Sequence, residues 1–220
     1  RWELSAAKDW NYEDIYLYET PECAAICDTT TDYRNGAACQ RYEYDYGLDA
    51  WKAVPFMSLR ANSIAVRKKA MSEGSERLAY GMTELMCDDE HYEAVGIALV
   101  AKEGVTEGDL LMDPFQYHRN FCRSQIKSDR YAEAFNRQLA GVLSPDEVAT
   151  TPVIRFVKCS VYRVNTPDGS DKAYLVEKRL DMKKWAKFNN NRTFVMKEEE
   201  FVQRYPMQMQ GEEEEEEEEE

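Results

Sequence analysis

The sequence predicts an α+β fold: an antiparallel sheet with one long helix between its third and fourth strands. Three observations carry this. "NSIAVRKKAM" (62–71) and "RLAYGMTELM" (77–86) alternate apolar and polar residues around the turn "SEGSE", and an apolar run ending in "ALVAKEG" (98–104) follows. Downstream, Asp113-Pro114 supplies an N-cap and a first helical residue for a long periodic segment. Finally, "VIRFVKCSVYRV" (153–164) and "KAYLVEKRL" (172–180) flank "NTPDGSD" (165–171), whose Pro-Asp-Gly makes a hairpin bend.

The elements follow in order. Residues 1–38 are acidic and aromatic and are expected to form an irregular or partly ordered lead-in. "QRYEYDYGLDAWKA" (40–53) suits a strand and a turn at Gly47. In the strand 77–86, Leu78, Tyr80 and Met82 share one face, while Arg77, Ala79 and Gly81 leave the other nearly bare of bulk. "CDDEHYE" (87–93) reads as a loop. In the next strand Val95, Ile97, Leu99 and Ala101 point one way, and Ala98, Val100 and Lys102 the other. The helix is expected to stop at Gly141, with an inward stripe of Phe121, Gln125, Ser128, Ala132, Phe135 and Leu139. Residues 153–164 are expected to be strand throughout, and residues 196–220 a disordered acidic tail.

Composition bounds the function. The chain has 220 residues, 43% of them hydrophobic, enough for a core. Glu212–Glu220 is a run of nine acids, which leaves only five of the fourteen net negative charges to the rest of the chain. There is no basic stripe of the kind nucleic acid requires, and no apolar stretch near the roughly 18 residues of a membrane span. The six cysteines form no CxxC pair, and Cys122 and Cys159 sit in apolar patterns as buried thiols, which favours a reducing, cytoplasmic setting. Cys23, Cys27 and Cys39 make only a weak zinc pattern, because no histidine precedes His91. The first residue is Arg1, so the chain is expected to be part of a longer protein. Its oligomeric state is not legible.

A strand series, a lysine-bearing strand, a helix and two further strands is the order of a protein-kinase N-terminal lobe, whose ATP lysine closes the third strand. The usual glycine loop is missing, and only Gly74 stands in its place. Five stretches carry a closer resemblance: "RYEYDYGLDAWKA" (41–53), "AMSEGSERLAY" (70–80), "LVAK" (99–102), "RSQIKSDRYAEAFNRQL" (123–139) and "YLVEKRLDMKKWAKFNNNRTFV" (174–195). Together they resemble the alpha-kinase family, atypical serine/threonine kinases of the elongation-factor-2 kinase and myosin heavy chain kinase type. Residues 39–195 are then expected to be that family's N-terminal lobe plus hinge. The departures are a missing hinge glycine in "DMKKWAK" (181–187), Asn120-Phe121 in place of an acidic pair, and an end of the resemblance near Val195. The family's catalytic aspartate, Asp and Gln metal ligands and zinc site are not found after it, so the kinase domain is expected to be incomplete and the second lobe largely absent.

The resemblance implies ATP as ligand, Mg2+ and zinc for the complete domain, and a protein substrate with a Ser or Thr acceptor. Lys102 would contact the nucleotide phosphates; its alternative is a strand-end lysine reaching water. Arg77 would be a second cation, or else a solvated strand-edge charge. Gly74 would let backbone N–H groups approach phosphates. Val100 would roof the adenine, and the backbone around Glu177 would meet its edge, without need of the Glu177 side chain. Gln125 would reach toward Lys102, or be a core glutamine bonded to backbone. Asp181 and the glutamate run are unsuited to hold Mg2+. A different reading of the same residues is a non-catalytic nucleotide-binding or interaction module, a lobe reused as a scaffold. A third is a purely structural α+β domain.

Overall fold

The structure, a computed structural model, describes residues 3–5, 14–20, 38–74, 76–87, 91–105, 113–165 and 171–181. The chain divides into two compact units, Arg1–Arg179 and Leu180–Glu220, and the elements below belong to the first. The stretch "KKWAKFNNNRTFV" (183–195), the acidic tail, Cys23 and Cys27 lie outside the described residues.

Among the described residues nine strands form one sheet: β1 (Glu3–Ser5), β2 (Ile15–Glu19), β3 (Ala38–Asp45), β4 (Ala50–Val54), β5 (Ser63–Glu73), β6 (Arg77–Cys87), β7 (His91–Gly104), β8 (Cys159–Asn165) and β9 (Asp171–Lys178). Among the described residues two helices, α1 (Pro114–Val142) and α2 (Pro145–Thr150), lie between β7 and β8. The order is β1-β7-β6-β5-β2-β3-β8-β9, with β4 on β3 and a further β7–β9 pairing. β7 therefore carries β6 on one edge, and β1 and β9 in succession on the other, so seven strands close into a ring. Most pairings are antiparallel; β1–β7 and the single-pair β2–β3 contact are parallel. Closure removes the free sheet edges that an open sheet would expose.

The ring encloses the main core. Tyr18, Cys39, Val66, Met82, Leu99, Val164 and Val176 are all buried in it, one from each of the seven strands. Phe56 enters from the loop after β4, its ring centroid 5.6 Å from that of Tyr162. That loop is held by Glu84 on β6, fully buried, whose carboxylate accepts from the backbone N–H of Met57 and Ser58 and from the Tyr162 hydroxyl, each at 2.6 Å. Opposite Glu84, the β6–β7 register shifts, and Gly96 sits in that bulge with φ +81°, where a side chain would be strained.

Three expectations are corrected and one is made definite. Residues 1–38 are not wholly irregular: in "IYLYE" Ile15, Leu17 and Tyr18 are buried, and β2 pairs with β5 through five registered residues. The segment 87–93 is not all loop, because Cys87 ends β6 and His91 begins β7. The strand after the helix begins at Cys159, not Val153; residues 152–158 run without strand pairing beside α1, where Asn136 and Asp129 accept from the Ile154 and Phe156 N–H. The helix stripe is displaced by about one position. Asp113 does cap α1, accepting from Phe115 N–H at 3.1 Å, but the buried residues are Phe115, Tyr117, His118, Cys122 and Ala132, and Phe135 is 50% exposed. α1 is 29 residues long, about 44 Å, and after Ala132 its residues are half-buried or exposed.

The ring interior is rich in buried phenols. Burial pushes Tyr18 up to about 12, and raises Tyr162 and Tyr174 further still. A raised phenol is neutral in the fold and ionises more easily once unfolded, so stability is intact below pH 10 and lost as pH rises above it. Tyr18 alone is worth about 2 kcal/mol by pH 12. The denaturant midpoint is expected to hold between pH 7 and 9 and to fall steeply from pH 10 to 11.5; a flat profile across that range would refute the assignment.

Candidate functional site

The site lies on the outer face of the ring, under α1. Lys102 is in register with Ala79 on β6 and Leu175 on β9, and Val100 with Gly81 and Glu177. Register partners and residues two apart share a face. Arg77, Ala79 and Gly81, Val100 and Lys102, and Leu175 and Glu177 therefore form one surface. Leu175 packs there with Phe115 and Cys122 of α1, which fixes it as the helix-covered side.

On this surface Lys102 Nζ donates to Glu177 Oε2, forming an ion pair with side-chain exposures of 28% and 11%. Gln125 of α1 donates from Nε2 to Glu177 Oε1 at 2.9 Å and also to the Val157 carbonyl. An amide nitrogen has two hydrogens, and both are engaged. The chain of contacts runs helix, carboxylate, ammonium, and it holds the Lys102 head in one place. A half-buried pair of this kind contributes little net stability, because desolvation offsets the Coulomb gain, but it fixes geometry.

The other candidates are placed on the same side. The Arg77 guanidinium lies over the Phe121 ring, 4.3 Å from its centroid, a cation–π contact that draws Arg77 under α1. Gly74 closes the β5–β6 turn: its N–H donates to the Arg77 carbonyl at 2.8 Å, so that donor faces into the turn. The bare face at Gly81 is covered by Arg67 of β5, whose Cδ would lie 3.2 Å from a Cβ at Gly81. Beside it opens a cleft of about 200 Å³ whose lining includes Arg67, Gly81, Ala98 and Arg179. The Arg179 N–H donates to the Ala98 carbonyl at 3.0 Å, which sets the chain leaving β9 against the β7 edge of that cleft.

The structure thus brings Lys102, Val100, Glu177 and Gln125 together and sets Arg77 on the same face with a separate partner. The sequence reading undervalued the Glu177 side chain, which is the carboxylate that binds Lys102. Its signal was present: "YLVEK" places one acid directly after three apolar residues at a position that register puts beside Val100. Arg67 was not singled out. Both open alternatives for Gln125 are realised at once, since it bonds to a backbone carbonyl and to the carboxylate that holds Lys102. Among the described residues no three His, Cys, Asp or Glu side chains gather where a metal ion could sit. Among them, too, no helix is long and apolar enough to cross a membrane.

Comparison with known proteins adds to this geometry. The sequence profile of the alpha-kinase family matches residues 72–209. It begins at the end of β5, later than the motif series that starts at 41, and reaches past Val195. No curated protein sequence matches the chain. Among solved structures, a mutant catalytic domain of myosin heavy chain kinase A is similar with a TM-score of 0.50 at 15% identity, over 73% of this chain and 67% of that one. The alpha-kinase domain of myosin heavy chain kinase A in complex with AMP is similar at 17% identity, TM-score 0.49, over 72% of this chain and 68% of that one. At such identity the first likeness speaks for the fold: an α+β sheet with one long helix, as the sequence predicts.

Proposed function

We propose, because the chain belongs to the alpha-kinase family, that the helix-covered face at Lys102 binds ATP for a serine/threonine protein kinase of that type. The observation that carries the reading is the Lys102–Glu177–Gln125 chain of contacts. Phosphoryl transfer depends on positioning and on neutralising charge, and a lysine held by a carboxylate from a neighbouring strand is a positioned cation. Lys102 contacts the nucleotide phosphates, and Arg77, on the same face, is the second cation. Val100 roofs the adenine beside the cleft at Gly81. The backbone after Glu177 meets the adenine edge. Gly74 shapes the turn next to the phosphates, with its own N–H already used. Gln125 acts through Glu177. The protein substrate offers a Ser or Thr hydroxyl, the complete domain uses Mg2+ and a zinc site, and the setting is cytoplasmic.

ATP titrated into the purified chain tests this. Ligand at about 100 times its dissociation constant stabilises a fold by about 2.7 kcal/mol, a rise of roughly 5–10 °C in melting midpoint for a chain of this size. The rise is expected with ATP and is expected to be smaller with adenosine, which offers Lys102 no phosphate. No rise with either rejects nucleotide binding; equal rises reject the role of Lys102.

A further inference from the structure

Cys122 and Cys159 come from different elements, 37 residues apart, and meet beneath α1. Their Sγ atoms are 3.0 Å apart, and each thiol also faces the other residue's backbone carbonyl, at 3.5 and 3.8 Å. Both are free thiols packed in the apolar cluster between helix and sheet. A disulfide bond of about 2.05 Å needs the two sulfurs to close by roughly 1 Å, within reach of small side-chain rotations. The pair also sits on the same helix-covered face as the candidate site. Cys159 is the register partner of Glu177, and Cys122 lies one helical turn before Gln125.

We propose that Cys122 and Cys159 form an oxidative modification site, in which a hydroperoxide-class oxidant converts the thiol pair into a disulfide that ties α1 to β8. Cys159 reacts first, since it keeps a 7% exposed edge while Cys122 is fully buried. The hydrogen bond to Cys159, with burial added, pushes the Cys122 thiol far up, so it stays protonated until its neighbour has reacted. Peroxide transfers one oxygen to Cys159 sulfur, giving a sulfenic acid and one water. Cys122 sulfur then attacks that sulfur, the S–O bond breaks, and the departing hydroxide takes the Cys122 proton as a second water. Two thiols lose two hydrogens and two electrons, and hydrogen peroxide is reduced to two waters. The disulfide closes a loop that includes α1 from Cys122 onward and all of α2, and it restrains the unfolded chain. Its consequence for ATP, that Gln125 is locked onto Glu177, rests on the proposed function; the site itself does not.

The test treats the full chain with hydrogen peroxide, caps remaining thiols, and maps peptides without reduction. The expected results are an intact mass lower by about 2 Da, a cross-linked peptide pair containing Cys122 and Cys159, and a melting midpoint raised by several degrees and restored by dithiothreitol. Cys159→Ala is expected to lose the cross-link and the rise; because a core variant can fail to fold, the wild-type chain with and without reductant carries the decision. Thiols that remain cappable, sulfinic acids in place of the cross-link, or pairing with other cysteines overturn the site. A cross-link with an unchanged midpoint overturns the tie. None of these readouts contains ATP, so a failed nucleotide reading shows separately, as no ATP shift in the reduced chain.

Discussion

Lys102→Met is expected to remove most of the ATP-dependent rise in melting midpoint and to destabilise the ligand-free chain. The two effects have different causes. A charge-assisted contact to phosphate is worth about 1.5–3 kcal/mol, so its loss weakens ATP binding by roughly 10- to 100-fold. The stability loss comes from Glu177. Its side chain is 11% exposed, and without the ammonium it keeps, among the described residues, the Gln125 amide as the partner for its charge. Breaking a buried ion pair by removing one member costs about 3–5 kcal/mol, and the partial exposure of this pair places the cost near the lower end. Glu177→Gln in the Lys102→Met background removes the stranded charge, so the double variant is expected to recover stability relative to Lys102→Met while ATP binding stays weak. Chemical denaturation and ATP titration on the four members of that cycle separate the two causes. If Lys102→Met keeps the wild-type ATP response, Lys102 is a strand-end lysine that merely meets Glu177, and the nucleotide site lies elsewhere.

Much of this site was legible in the sequence, and what was not has identifiable physical reasons. Alternation placed Val100 and Lys102 on one face of β7 and Arg77, Ala79 and Gly81 on one face of β6, and local punctuation placed the start of α1 at Asp113-Pro114. Those are properties of neighbouring residues. The Lys102–Glu177 pair is instead a property of register between β7 and β9, 75 residues apart, and no local pattern encodes it. Ring closure was hidden for the same reason. It depends on β7 being long enough to hold β1 at one end and β9 at the other, and on β2, whose five residues sit inside a segment of acidic and aromatic composition. The helix stripe is shifted because steps of four and three counted from Phe121 start one position away from Cys122, the fully buried residue beside it. Phe121 packs half-buried against the helix–sheet cluster and also meets the Arg77 guanidinium, while Phe135 is half exposed.

Glu84→Ala is expected to destabilise the fold more than any single change at the nucleotide face. Glu84 is 1% exposed, and its two carboxylate oxygens accept three hydrogen bonds at 2.6 Å: Oε1 from Met57 N–H and Tyr162 O–H, Oε2 from Ser58 N–H. A carboxylate suits this place because all three neighbours are donors and it offers acceptors only. Alanine leaves two backbone N–H groups and one phenol without an acceptor in the interior. Each buried unsatisfied donor costs about 1–3 kcal/mol, so the total is expected to reach about 4 kcal/mol or more even after water enters part of the space. Glu84→Gln keeps the volume and one acceptor but turns an N–H2 toward a backbone donor; its cost is expected to be about 1–3 kcal/mol. Tyr162→Phe deletes one donor together with its need and is expected to be the mildest of the three. The loop 55–62 should respond locally as well, because Glu84 is what fastens Met57 and Ser58 to β6: their amide protons are expected to exchange faster in Glu84→Gln while the amides of β8 and β9 keep their protection. Equal destabilisation by Glu84→Gln and Glu84→Ala would place the cost in lost acceptor charge, whereas the ordered series Ala, Gln, Phe places it in the number of donors left unpaired around one buried carboxylate.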